Sequence, residues 1–137
     1  MGSKNKLKRF QENETLPNVI QPTRKSLIHG SFGYKANWHT YFENNNPIIL
    51  ELGCGKGEYT LALAQQNPDC NYIGIDIKGA RFWRGAKTAY KEQFSNVAFI
   101  RTQIELIEHV FAAGEVSEIW LTFPDPQLKF KRTKHRL

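Results

Sequence analysis

The stretch Ile48-Ile49-Leu50-Glu51-Leu52-Gly53-Cys54-Gly55-Lys56-Gly57 decides how the chain is read. Its first five residues are apolar on both faces except for Glu51, in the manner of a central parallel strand covered by helices on each side. The three glycines that follow, at alternate positions, let the backbone turn sharply and let a ligand approach it without Cβ collisions. A helical stretch over 58–66 comes next and is stopped by Asn67 and Pro68. Strand, glycine turn and helix make the opening of a βαβ unit.

Outward from that turn the texture repeats. Residues 71–76 read as a second strand and 80–93 as a second helix, with Phe82, Trp83, Ala86, Ala89 and Tyr90 on one face and Lys87 and Lys91 on the other. Residues 97–100 give a third strand, 104–111 a third helix with Ile104, Ile107 and Phe111 inward, and 117–122 a fourth strand. The order βαβαβαβ implies an α/β fold, three layers αβα with a parallel sheet and right-handed crossovers. With the strands in the order 3-2-1-4, the fourth is an edge carrying Ile119, Leu121 and Phe123. An open apolar edge invites pairing with another chain, so self-association, easy unfolding and little turnover are expected of the chain alone.

Residues 1–46 differ: they are rich in Asn, Gln, Lys and Pro, show no sustained period, and read as an irregular basic and aromatic arm before a domain over 47–137. The rings Phe32, Tyr34, Trp38, Tyr41 and Phe42 are dense enough to pack, with a short helix around 38–43. The 137 residues, 40% hydrophobic and 12% aromatic, suffice for one modest core. No run approaches the roughly 18 apolar residues of a membrane span, and the basic start lacks the apolar stretch of a secretory signal, which predicts a soluble cytoplasmic protein with no membrane partner. Two cysteines, Cys54 and Cys70, with no Cys/His cluster at ligand spacing, argue against a metal site and a disulfide framework.

The net charge of +6 sits at the ends. Lys4, Lys6, Lys8 and Arg9 lie near the start and Lys129, Lys131, Arg132, Lys134 and Arg136 near the finish, neither group with a carboxylate. Two concentrated basic segments suit a polyphosphate partner, so nucleic acid is favoured, with solvated tails as the alternative.

The glycine spacing is GxGxG and not the GxGxxG of dinucleotide-binding units. Preceded by an acid at the end of the strand, it is the pattern of methyltransferases that use S-adenosylmethionine, a cofactor with an amino-acid portion and no pyrophosphate. Glu51 can pair with that portion's ammonium, and Gly53, Gly55 and Gly57 make room for it; a purely structural turn is the other reading. Nineteen residues beyond Gly57, Asp76 ends the second strand, where an acid accepts hydrogen bonds from both hydroxyls of a ribose, and Ile77 beside it offers an apolar face to adenine. The fourth strand runs into Phe123-Pro124-Asp125-Pro126, whose prolines hold Asp125 on a stiff loop facing the glycine turn. A carboxylate there can receive a base's N–H donors and offset developing positive charge, and a plain turn is again the alternative.

The segment from Phe123 to Leu137, taken with ILELGCGKGEYTLALA (49–64), YIGIDIK (72–78) and EIWLTFPDP (118–126), resembles the bacterial tRNA (guanine-N7)-methyltransferase family over residues 48–137. The resemblance implies a Rossmann-like class I methyltransferase domain, S-adenosylmethionine as cofactor and tRNA as partner. It assigns Glu51, Asp76 and Asp125 to the cofactor and guanine sites, Gln103 to the neighbourhood of adenine, and Lys129, Lys131, Arg132, Lys134 and Arg136 to tRNA. Asp125 becomes the catalytic residue, because the reaction at N7 of a guanine in the variable loop, conventionally position 46, uses an in-plane lone pair and needs alignment and charge balance but no base. Three positions depart from the family pattern: Gln127 replaces a usual Trp, Arg132 a usual His, and Gln103 a frequent Asp. The family also continues past this point with three further strands. A methyltransferase acting on another RNA or on protein, and an inactive RNA-binding fragment, remain the competing functions.

Overall fold

The computed structural model describes residues 3–121 and 131–133. Its elements are α1 (Ser3–Asn13), β1 (Val19–Ile20), α2 (Arg24–Ile28), α3 (Trp38–Phe42), β2 (Ile48–Leu52), α4 (Glu58–Gln66), β3 (Asn71–Asp76), α5 (Gly79–Lys91), β4 (Val97–Arg101), a 3-10 turn (Ile104–Leu106) that runs into α6 (Ile107–Val110), β5 (Glu118–Leu121) and β6 (Lys131–Thr133). They form one sheet in the order β1-β4-β3-β2-β5-β6, parallel except for β6, which is antiparallel to β5. The expected order 3-2-1-4 is present as β4-β3-β2-β5.

Every residue of β3 is buried, as a strand covered on both faces must be. One face of the sheet packs Leu50, Ile73, Ile75 and Ile100 against Trp38, Phe42, Val110 and Phe111. The other packs Ile49, Tyr72 and Phe99 against Phe82, Ala86 and Ala89 of α5. These are the three layers anticipated.

Residues 1–46 are not irregular. α1 lies along α5, β1 adds a strand beside β4 through Phe99 N donating to Asn18 O (2.8 Å), and α3 buries Trp38 completely, its indole N–H reaching Val110 O at 3.0 Å. Leu16, Leu27, Trp38 and Phe42 enter the core, and helix α1 and the 36–38 turn are held by polar, long-range contacts. Asn13 Nδ2 donates to Gly79 O (3.0 Å), the Trp83 indole to Glu12 (2.8 Å), and Lys87 pairs with Glu12 at 2.8 Å. The Glu115 carboxylate accepts the backbone N–H groups of Ala36, Trp38 and Ala112. Such contacts leave no hydrophobic period to read.

Three local expectations also need correcting. Tyr90 is exposed and Trp83 is half-buried beneath α1, so the apolar face of α5 is narrower than its sequence suggests. Ile104 points to solvent, while Leu106 and Val110 take the inward positions, because this helix opens with a 3-10 turn that shifts the period. The β5 edge expected to be open is paired with β6, in register Leu121 with Lys131 and Trp120 with Arg132.

Candidate functional site

The glycine turn is stapled to β3. Gly53 N and Cys54 N both donate to Ile75 O, at 2.7 and 3.0 Å, which pulls the turn over the carboxyl end of the neighbouring strand. Gly57 caps α4 in the left-handed region (φ +78°), and a Cβ there would lie 2.8 Å from the Phe99 ring, so backbone and packing both demand glycine. Gly55, also left-handed at φ +56°, donates its N–H to Asp76 Oδ2 at 2.9 Å.

Asp76 is therefore more than the end of a strand. Its other oxygen, Oδ1, accepts Lys78 N at 2.9 Å, and its carbonyl accepts Thr102 N at 3.2 Å, so one buried residue ties together the loops after β2, β3 and β4. A carboxylate has about four acceptor sites, which leaves each oxygen room for one further donor. Glu51 is buried at the end of β2 and accepts the hydroxyl of Thr60 from the first turn of α4. Burial, with the charges of Glu51 and Asp76 adding to it, pushes the Cys54 thiol well above its ordinary range. It is a neutral packing group and not a nucleophile.

Beyond the carboxyl ends of β2, β3 and β4 opens a cavity of about 400 Å³ lined by Gly53, Asp76, Ile77, Thr102, Gln103, Ile104 and Glu105. Ile77 and Ile104 line it as exposed apolar side chains, 47% and 45% accessible. The Gln103 amide oxygen accepts Arg24 Nη1 at 2.9 Å, and the same nitrogen lies 3.7 Å from Glu105. A buried carboxylate with spare acceptor sites, two apolar side chains, an amide and the Gly53 backbone fit a nucleoside carrying an amino-acid tail. The structure thus brings Glu51, Gly53, Gly55, Gly57, Asp76, Ile77 and Gln103 to one end of the sheet. Sequence reading missed Thr102, Ile104, Glu105 and Arg24. Ile104 carries a signal, an apolar residue three places after a strand end, but its spacing also fits a core position.

Asp125, Gln127, Lys129, Lys134 and Arg136 lie outside the described residues. Lys131 and Arg132 belong to β6, and Lys131 stands in register with Leu121, itself beside Leu52, the residue before Gly53. The N-terminal cations are in helix α1 and join those of α5: Lys6, Lys8 and Arg9 with Arg81, Arg84, Lys87 and Lys91, against Glu12 as the one carboxylate in either helix. Arg9, Lys87 and Arg84 stand 4.7, 5.0 and 5.5 Å from the centre of the Trp83 ring. Among the described residues no group of His, Cys, Asp or Glu could hold a metal ion, and no helix is long and apolar enough to cross a membrane.

A parallel sheet in this order, with a glycine turn held to an acid at the end of β3 and a cavity above both, is the Rossmann-like architecture of class I methyltransferases. The crystal structure of the antibiotic-resistance methyltransferase Kmr shares it, with a TM-score of 0.56 and 24% identity over 68% of this chain and 49% of that one. The family described as "Putative methyltransferase" matches residues 45–137, and the chain belongs to that family of S-adenosylmethionine-dependent enzymes. The tRNA (guanine-N(7)-)-methyltransferase of Christiangramia forsetii is 70% identical over 138 residues, covering 100% of this chain and 62% of that protein. The protein of the same name from Bacteroides fragilis is 52% identical, covering 96% of this chain and 52% of its own length. The chain thus spans between half and two thirds of these curated relatives.

Proposed function

We propose that the protein is a tRNA (guanine-N7)-methyltransferase that uses S-adenosylmethionine and acts in the cytoplasm on a guanine of the tRNA variable loop, conventionally position 46. The observation that carries this reading is the 70% identity, over the whole chain, to a protein of that name. The cofactor supplies an electrophilic methyl group on a sulfonium.

The chain's own residues supply position and charge. Asp76 accepts the two ribose hydroxyls on the lone pairs that Gly55 N and Lys78 N leave unused. Glu51, oriented by the Thr60 hydroxyl, would face the ammonium of the amino-acid portion, and the turn through Gly53, Gly55 and Gly57 would give that portion backbone to lie against. Ile77 and Ile104 would offer the adenine ring apolar contact and Gln103 a polar partner at its edge. The bound cofactor would supply the methyl group and leave as the thioether; N7 would take the methyl on its lone pair with no proton lost, so the base would gain positive charge. Asp125 is the group assigned to balance that charge. RNA phosphates would meet the run Lys129, Lys131, Arg132, Lys134 and Arg136, and the excess of cations in α1 and α5 favours the same partner by charge.

The test is incubation of the protein with labelled S-adenosylmethionine and unmodified tRNA. Label at N7 of guanine 46, absent when that guanine is replaced by 7-deazaguanine, is the expected result. Label on another nucleotide or on protein would overturn the reading.

A further inference from the structure

The link between Arg24 and Gln103 has no role in the function so far. Arg24 lies outside the family match, which begins at residue 45, and is 79 positions from its partner. It is nonetheless well placed: Thr23 caps α2 by accepting Ser26 N (3.0 Å), so the helix starts at Arg24, and Leu27, 1% exposed, anchors it in the core. Glu105 lies 3.7 Å from the same Arg24 nitrogen.

An amide has one acceptor oxygen and a nitrogen with two donors, and a half-turn exchanges them. Arg24 can only donate. Its bond to Oε1 therefore fixes the amide's orientation and leaves Nε2, which donates to no atom among the described residues, as the group that Gln103 offers the cavity. An acid at this position would accept from the purine's exocyclic amine; a donor cannot, and needs an unprotonated ring nitrogen. We propose that Arg24 is a positioning residue that makes the site read N1 of adenine through Gln103 Nε2, in place of the 6-amine. This rests on the cofactor reading above.

The test titrates the full chain with S-adenosylhomocysteine and with its 1-deaza analogue, in which a C–H replaces N1 and the 6-amine is kept. The unaltered chain should bind the analogue about 2- to 12-fold more weakly, the worth of one neutral hydrogen bond. Arg24→Ala frees the amide to turn its oxygen to the amine, so the ratio should fall toward one, and Arg24→Lys should restore it. Gln103→Glu, which cannot donate when ionised, should also bring the ratio toward one with Arg24 in place. An equal ratio in the unaltered chain and Arg24→Ala, or a ratio near one in the unaltered chain, overturns the proposal. Failure of the unaltered chain to bind S-adenosylhomocysteine at all overturns the cofactor reading and the proposal with it.

Discussion

The two ends of the cavity are built in different ways. At the Asp76 end, every donor is a backbone N–H: Gly53 N and Cys54 N on Ile75 O, Gly55 N and Lys78 N on the carboxylate of a buried strand-end residue. At the Gln103 end, side chains hold side chains: Arg24, from a segment far off in the sequence, reaches an exposed amide and Glu105, with side chains 61% and 70% accessible in that ion pair. A rigid end fixes what every ligand of the class shares, and a side-chain end can be retuned without disturbing the sheet. Substitutions at the first should cost stability and binding together, and those at the second should change binding with stability nearly intact.

The largest effect is expected at Gly57. Gly57→Ala places a Cβ against the Phe99 ring and forces a left-handed alanine, costing about 1–2 kcal/mol for the backbone and about 1–3 kcal/mol for overpacking. Chemical denaturation should show the loss, and Phe99→Leu should recover part of it. A variant as stable as the parent would mean that the turn is looser than the staple implies.

Asp76→Ala comes next, with S-adenosylhomocysteine affinity falling at least about tenfold, since each charge-assisted bond is worth about 1.5–3 kcal/mol. Asp76→Asn should not rescue it. An amide presents a donor to Gly55 N or to Lys78 N, whichever way it turns. Calorimetry and thermal unfolding on both variants separate binding from stability, and unchanged affinity would remove Asp76 from the site.

Cys54 sharpens the same contrast through pH. Its folded thiol holds its proton to higher pH than in the unfolded chain, so the unfolded state releases a proton first and stability should fall as pH rises past about 9. Cys54→Ala should flatten that decline in a denaturation series from pH 8 to 10. The thiol should also resist alkylation at neutral pH in the folded protein; rapid labelling would contradict its burial.

The smallest effect belongs to the other end. Glu105→Gln weakens an exposed ion pair worth about 0–1 kcal/mol, so the melting curve should barely move. A large loss there would erase the distinction between the two ends.

The same division explains what was legible in the sequence. The β2 strand, its glycines and Asp76 are neighbours in one βαβ unit, so their type and spacing place them together at one end of the sheet, and Ile77, next to Asp76, borders the cavity there. Residues 1–46 were not, because α1 is held by Asn13, Glu12 and Trp83 through single polar contacts across 66 to 71 positions. The basic start therefore looked like a tail when Lys8 and Arg9 belong to a helix on α5. Ile104 misled because a 3-10 turn replaced the first turn of an α-helix, and Arg24 gave no signal because its partner lies in another βα connection.

The most direct measurement is amide hydrogen exchange of the protein with and without S-adenosylhomocysteine. Slowed exchange at Gly55, Lys78 and the 102–105 turn, with α1 unaffected, is the result this account requires. Protection elsewhere, or none at those loops, would contradict the claim that this cavity is the cofactor site.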